Sequence, residues 1–206
     1  LSSGVAALVA IAGADSSAAG AAAAASTLYQ MATGGVVLAQ TAMACSREAV
    51  SLLVAQLSGS AEQQQQLAVR SLRHLCSSSE AQALIVEVGG VSPLVSVAHG
   101  CSETASRRDA ALVLASLCSP AHIESISSAG GAEVLLAAVQ MSDAELTRVG
   151  GAALESLVGC SAGRTVISSS GLGACVGLLR SGDAGVQLNG VRVMAALATD
   201  VEGRLS

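Results

Sequence analysis

IVEVGGVSPLVSVAHGCSETASRRDAALVLASLC, residues 85–118, holds most of one structural unit of this chain. Its apolar start stops at Gly89-Gly90. Glycine reaches backbone angles closed to other residues, so the pair suits a sharp corner. Helical patterning resumes at Val91, with Pro93 in the first turn, where its missing N–H costs nothing. Gly100-Cys101-Ser102 reads as a turn. The stretch closes on Ala110, Leu114 and Leu117, a small residue followed at four and then three by leucines. That spacing is one face of an α-helix, and the small residue marks where another helix backbone comes close. The unit therefore reads as a short helix, a glycine corner, a middle helix, a turn and a longer third helix.

Outward from this unit the same order recurs. GGVSPLV at 89–95 aligns with GGAEVLL at 130–136 and GLGACVG at 171–177, so Gly89, Gly130 and Gly171 fall at equal intervals. Glu48-Ala49-Val50-Ser51-Leu52-Leu53-Val54 aligns without the glycines, and Gly4-Val5-Ala6-Ala7-Leu8-Val9 matches from the second glycine onward. The closing pattern recurs as Ala24/Leu28/Met31, Ala68/Leu72/Leu75, Gly150/Leu154/Leu157 and Gly190/Met194/Leu197. Turns are expected at Gly59, Ser142-Asp143 and Ser181-Gly182-Asp183, and further breaks at Gly34-Gly35, 76–79, Ser119-Pro120 and 160–163. Self-similarity at a fixed period marks a repeat array, in which each unit buries its apolar face on the next. The expected organisation is a single repeat domain over 1–206: a partial unit at 1–33, units at 34–76, 77–118, 119–160 and 161–199, and the start of another at 200–206. Neither end offers a polar cap, so further repeats are expected on both sides.

Composition agrees. Hydrophobic residues make up 51% and charged residues 12%, a balance that favours burial over solvated surface. There is no Phe or Trp, and Tyr29 is the one tyrosine, so the core is built from Ala, Leu, Val and Ile. Alanine is the best helix former, and small side chains let helices approach closely. All ten basic residues are Arg, and the net charge is -5. Nucleic-acid binding calls for a basic footprint and often aromatic stacking platforms, so no nucleic-acid partner is expected.

Several other chemistries are argued against. The cysteines, Cys45, Cys76, Cys101, Cys118, Cys160 and Cys175, form no CxxC pair and no zinc spacing with histidine. Cys76, Cys118 and Cys160 stand at equal intervals, at equivalent places in successive units, where about 8–10 Å between helix layers exceeds disulfide reach. Small buried thiols in a reducing, intracellular setting, cytoplasmic or nuclear, are the expectation. His74, His99 and His122 are scattered, so no metal, catalytic centre or cofactor is expected. Without lysine a P-loop is impossible. Residues 1–46 carry one charge, Asp15, but lack a basic n-region. The Ala-rich stretch 5–25 is broken by Gly13, Asp15, Ser16, Ser17 and Gly20, so buried repeat helices are expected, with no integral membrane segment. Serine-rich spots at 77–79, 125–128 and 168–170 suit turns and caps. Gln63–Gln66 reads as an exposed helix start.

A unit of about this length, with a Gly-Gly or Gly-Ala corner and a small-xxx-Leu-xx-Leu close, resembles the armadillo repeat. The likeness covers nearly the whole chain and is closest at 85–118. HEAT repeats, two-helix units without the regular glycine corner, are the second choice. The resemblance implies an all-α, right-handed α-solenoid, an armadillo-like superhelix of about five three-helix repeats.

In armadillo proteins the third helices line a concave groove that holds extended peptides or partner surfaces. Two rows follow when the first large apolar residue of each closing pattern is the anchor. Two positions before it stand Ser26, Arg70, Leu112, Ala152 and Arg192, and two after it Gln30, His74, Ser116, Ser156 and Ala196. In armadillo importers of nuclear cargo these rows hold Trp and Asn ladders. Here there is no Trp, and the one Asn, Asn189, lies outside both rows, so nuclear-signal recognition is not implied. Arg70 and Arg192 would favour acidic or neutral ligands. Alternatively these arginines are solvated charges paired with Glu62, Asp109, Glu145 and Glu155. The expected function is a non-enzymatic scaffold or adaptor for protein or peptide partners, with no small-molecule substrate. An alternative is the substrate-recognition part of a larger enzyme, such as a U-box type ubiquitin ligase with its catalytic domain elsewhere. A membrane-associated scaffold is a third reading.

Overall fold

The computed structural model of the chain describes residues 2–13, 18–34, 42–59, 62–141 and 143–205. No strand occurs among them. The helices are α1 (Ser2–Gly13), α2 (Ala18–Thr33), α3 (Arg47–Leu57), α4 (Glu62–Leu75), α5 (Ser79–Glu87), α6 (Val91–Gly100), α7 (Thr104–Leu117), α8 (Ile123–Ser128), α9 (Gly131–Val139), α10 (Ala144–Leu157), α11 (Ser161–Ser170), α12 (Leu172–Leu179) and α13 (Ala184–Leu205). Middle helices are α1, α3, α6, α9 and α12; third helices are α2, α4, α7, α10 and α13; α5, α8 and α11 are short first helices. The expected breaks at 15–17, Gly35 and Ser142 lie outside the described residues.

The chain divides into two compact units, Leu1–Val113 and Leu114–Ser206. In the first, α2 packs on α1 and α4, and α3 packs on α4. In the second, α10 packs on α9 and α13, and α12 on α13. The anchors Leu28, Leu72, Leu114 and Leu154 are fully buried, as are Leu75, Leu117 and Leu157 three residues on. Each such leucine contributes about 1.5–3 kcal/mol relative to exposure. Met31, Met194 and Leu197 are half-buried.

Glycine at the small position before two of the anchors has a steric cause. A Cβ on Gly150 would stand 2.7 Å from Val139 Cγ1, and one on Gly190 would stand 3.0 Å from Leu178 Cβ and 3.2 Å from the Leu179 amide nitrogen. The middle helix thus presses on the third helix of its own repeat at that point. The corners differ from their spacing. Gly89 and Gly130 have φ of 78° and 86°, as the corner reading requires, but Gly171 has φ -94°. Gly171 does the work of Gly90 and Gly131 instead, standing immediately before or at the start of a middle helix with no room for a side chain. Its Cβ would lie 2.7 Å from the Ile167 carbonyl oxygen, just as those of Gly90 and Gly131 would lie 2.8 Å from the carbonyls of Ile85 and Ile126. This corner is one residue shorter than the other two.

Caps set the helix starts. Ser46, Ser78 and Asp143 accept from the backbone N–H of Ala49, Ala81 and Leu146, and Asp183 accepts from Val186. Cys160 Sγ accepts from Gly163 in the same role. Gln65 is half-buried rather than exposed. Its amide donates to the Leu57 and Gly59 carbonyls, tying the α3–α4 turn, and Gln187, likewise seven residues before its anchor, donates to Ser181. No single helix among the described residues is long and apolar enough to cross a membrane.

Candidate partner-binding face

The two rows come out unevenly. In Leu1–Val113, Gln30 and His74 are exposed and Ser26 and Arg70 half-exposed, but Leu112 is 4% exposed and belongs to the core. The reason is α7 itself. Residues 109–115 are buried without a break, and 110–115 read AALVLA, apolar all round. Such a helix has no polar flank to offer. In Leu114–Ser206, Ala152 and Arg192 are exposed, and Ser116, Ser156 and Ala196 half-exposed. Ser156 Oγ donates to its own helix, at Ala152 O, 3.3 Å away.

The row arginines have carboxylate partners. Arg70 lies 3.5 Å from Glu103 and 4.0 Å from Asp109, and Arg73 donates to Asp109 at 2.8 Å. Arg108 is 3.7 Å from the same carboxylate, whose side chain is only 8% exposed. Arg192 Nη1 donates to both oxygens of Glu155, at 3.2 and 3.4 Å. The Asn189 amide, turned to satisfy both of its ends, donates to Glu155 and accepts from the Ala152 N–H. Of the four counter-ions expected from sequence, Asp109 and Glu155 hold these arginines. Glu62 instead accepts from Ser102, and Glu103 is a partner that the sequence did not single out.

A register links these contacts. Asp109 and Asn189 each stand five residues before an anchor, while Arg73 and Glu155 each stand one after the preceding anchor. The same two positions hold Tyr29 with Leu67, and Ala115 with Val149. The polar contacts therefore fall where both positions are polar, a pairing that sequence could have exposed once the anchors were aligned. Asp109→Ala should lower stability by about 1–3 kcal/mol, because it removes a charge-assisted hydrogen bond to Arg73. Asp109→Asn, which keeps one acceptor, should lose less. Arg70, distant and two-fifths exposed, adds little to that figure. Urea midpoints of the two variants provide the check.

The thiols are all free. Burial pushes Cys76 and Cys118 up to about 12, the nearby Cys160 adding to the shift at Cys118. Such groups are poor nucleophiles. Among the described residues no cluster of three His, Cys, Asp or Glu side chains is placed to hold a metal ion. The exposed part of the rows offers arginine, histidine, amide and hydroxyl groups on rigid helices, suited to hydrogen-bonding an extended chain.

No known family model matches this sequence, and neither does any curated protein. Solved structures do match. An engineered protein is 28% identical with a TM-score of 0.70, over 95% of this chain and 79% of its own. A designed armadillo repeat protein in complex with the peptide (KR)4 is 20% identical with a TM-score of 0.68, over 93% and 80%. A chain from a structure on the phosphorylation switch that controls the interaction between cadherin and beta-catenin is 18% identical with a TM-score of 0.76, over 93% and 36%.

Proposed function

Because the chain has the armadillo-like repeat fold, an α-solenoid, we propose that it is a non-enzymatic scaffold that binds extended peptide or protein segments on the exposed flanks of its third helices. The observation that carries the reading is the exposed or half-exposed groups on those flanks, Arg70 and His74 on α4 in the first unit and, in the second, Ala152 and Ser156 on α10 with Arg192 and Ala196 on α13. A structural neighbour of the same fold was solved with a peptide, which supports the reading. That peptide is basic, whereas these rows carry arginine. The favoured ligand is therefore a neutral or acidic segment. Its carboxylates would exchange with Glu103 at Arg70 and with Glu155 at Arg192.

The test is selection of linear peptides from a displayed library, followed by titration of the winners. Arg70→Glu with Arg192→Glu should weaken binding at least tenfold, since each arginine removed takes a charge-assisted hydrogen bond with it. Helicity should stay at the wild-type level. Undiminished binding by the double variant would remove these rows as the ligand face, and the single variants report on each compact unit separately.

A further inference from the structure

Arg70, the row arginine of α4, sits in a cluster of like charges whose best acceptor is already taken. Residues 70–74 of α4 face residues 103–109 at the start of α7, all within the unit Leu1–Val113. Together these stretches carry four arginines against two carboxylates, in a chain whose net charge is -5. Asp109 is nearly buried and committed: Arg73 donates to its Oδ1 at 2.8 Å, and Arg108 Nη1 lies 3.7 Å from the same oxygen. Arg70 is left with Glu103 Oε1 at 3.5 Å and Asp109 Oδ2 at 4.0 Å. Glu103 gives its other oxygen to the buried Ser106 hydroxyl, which donates at 2.6 Å.

A guanidinium presents five N–H donors in a rigid fork. Arg70 therefore keeps most of its donors for another acceptor, on a side chain 39% exposed. His74 stands one turn further along the same face of α4 and is exposed as well. The charge selects the acceptor. A carboxylate brings a single charge and two oxygens, less than the excess of arginine here. A phosphoryl group brings a charge of about -1.5 to -2 and three acceptor oxygens. It can take Arg70 by both arms of the fork, the geometry that makes arginine a specific phosphate ligand. Asp109 already holds Arg73 and Arg108 in place, so binding has little side-chain order left to create.

We propose that the Arg70 cluster is a phosphoryl-binding subsite, which takes a phosphoserine or phosphothreonine side chain of the segment bound along the third helices. This rests on the peptide-binding reading above and adds a modification of the partner that controls it. Glu103 is the internal competitor. It holds Arg70 weakly until a phosphorylated segment displaces it.

Three peptide libraries with random flanks test this, alike except at one fixed position that is serine, glutamate or phosphoserine. Binding is measured to the 206-residue chain. The phosphoserine library should bind about tenfold or more tightly than the serine library, with glutamate between them. Arg70→Gln should remove most of that preference. Arg180→Gln takes one positive charge from an exposed site outside the cluster and should leave the preference intact. Glu103→Gln should raise phosphoserine affinity about twofold to fivefold, because it releases Arg70 from a weak ion pair and keeps an acceptor for Ser106. A purely structural Arg70–Glu103 pair predicts the opposite, since either change would then weaken binding of all three libraries alike. Equal binding of the serine and phosphoserine libraries overturns the proposal and leaves the peptide-binding face standing. A phosphoserine preference that Arg70→Gln does not lower overturns it too, because the subsite then lies elsewhere. No binding by any library removes the peptide-binding reading and this subsite with it. Retention on phosphoinositide-containing vesicles without a phosphopeptide preference would overturn it in favour of a membrane surface.

Discussion

Replacing Leu114 with Asp should leave the chain without a cooperative melt near room temperature. Leu114 is fully buried and anchors the closing pattern of residues 85–118. The change removes about 2–5 kcal/mol of packing, as a leucine-to-alanine change in a core would. It also buries a carboxylate with no partner, which costs further free energy or forces the group to stay protonated. Against a typical total of about 5–15 kcal/mol, the sum consumes most of the stability. Leu114→Ala separates the two contributions, since it makes the cavity without the charge. It should still melt, with a lower urea midpoint. Helicity followed through a urea titration is the measurement. A Leu114→Asp chain that unfolds like the wild type would show that the anchor register is misplaced.

The second large effect sits at the corners, where two glycines alike in spacing should respond differently. Gly171→Ala should cost about 2–3 kcal/mol, near the upper end for overpacking. Its methyl would lie 2.7 Å from the Ile167 carbonyl oxygen and 2.9 Å from Ile167 Cα, backbone atoms that cannot turn aside. Gly89→Ala meets open space, and its cost is the left-handed backbone alone, about 1 kcal/mol. Asparagine makes the contrast qualitative. It tolerates the left-handed region, so Gly89→Asn should recover much of the loss. At Gly171 the obstacle is volume, so Asn should be no better than Ala. Thermal melts of the four variants decide it. Equal behaviour of Ala and Asn at Gly89 would rule out the φ explanation there.

These sites show how far sequence reading carries. Leu72, Leu114 and Leu154 are legible as anchors because helical period and side-chain size are local properties, repeated in each unit. The glycines at the starts of α6, α9 and α12 are legible for the same reason. Gly171 is misread by spacing alone, because the equal intervals from Gly89 and Gly130 hide a one-residue shortening of the corner. Only φ and the approach of Leu136 reveal which glycine of the pair survived. Leu112 falls on the binding face when counted from its anchor. The count is sound, but the apolar run 110–115 leaves that stretch of the helix buried on every side. The signal lies in the composition around the position, which a register rule ignores.

The sequence alone determined the all-helical class, the repeat, the anchors and the corners at Gly89-Gly90 and Gly130-Gly131, because each follows from backbone sterics and from burial at fixed intervals within one unit. It left open the partners of Arg70, Arg73 and Arg192 and the pairing of Glu155 with Asn189. Those depend on where one helix lies against its counterpart a repeat further along the chain, and the closeness of that approach is set by packing between repeats.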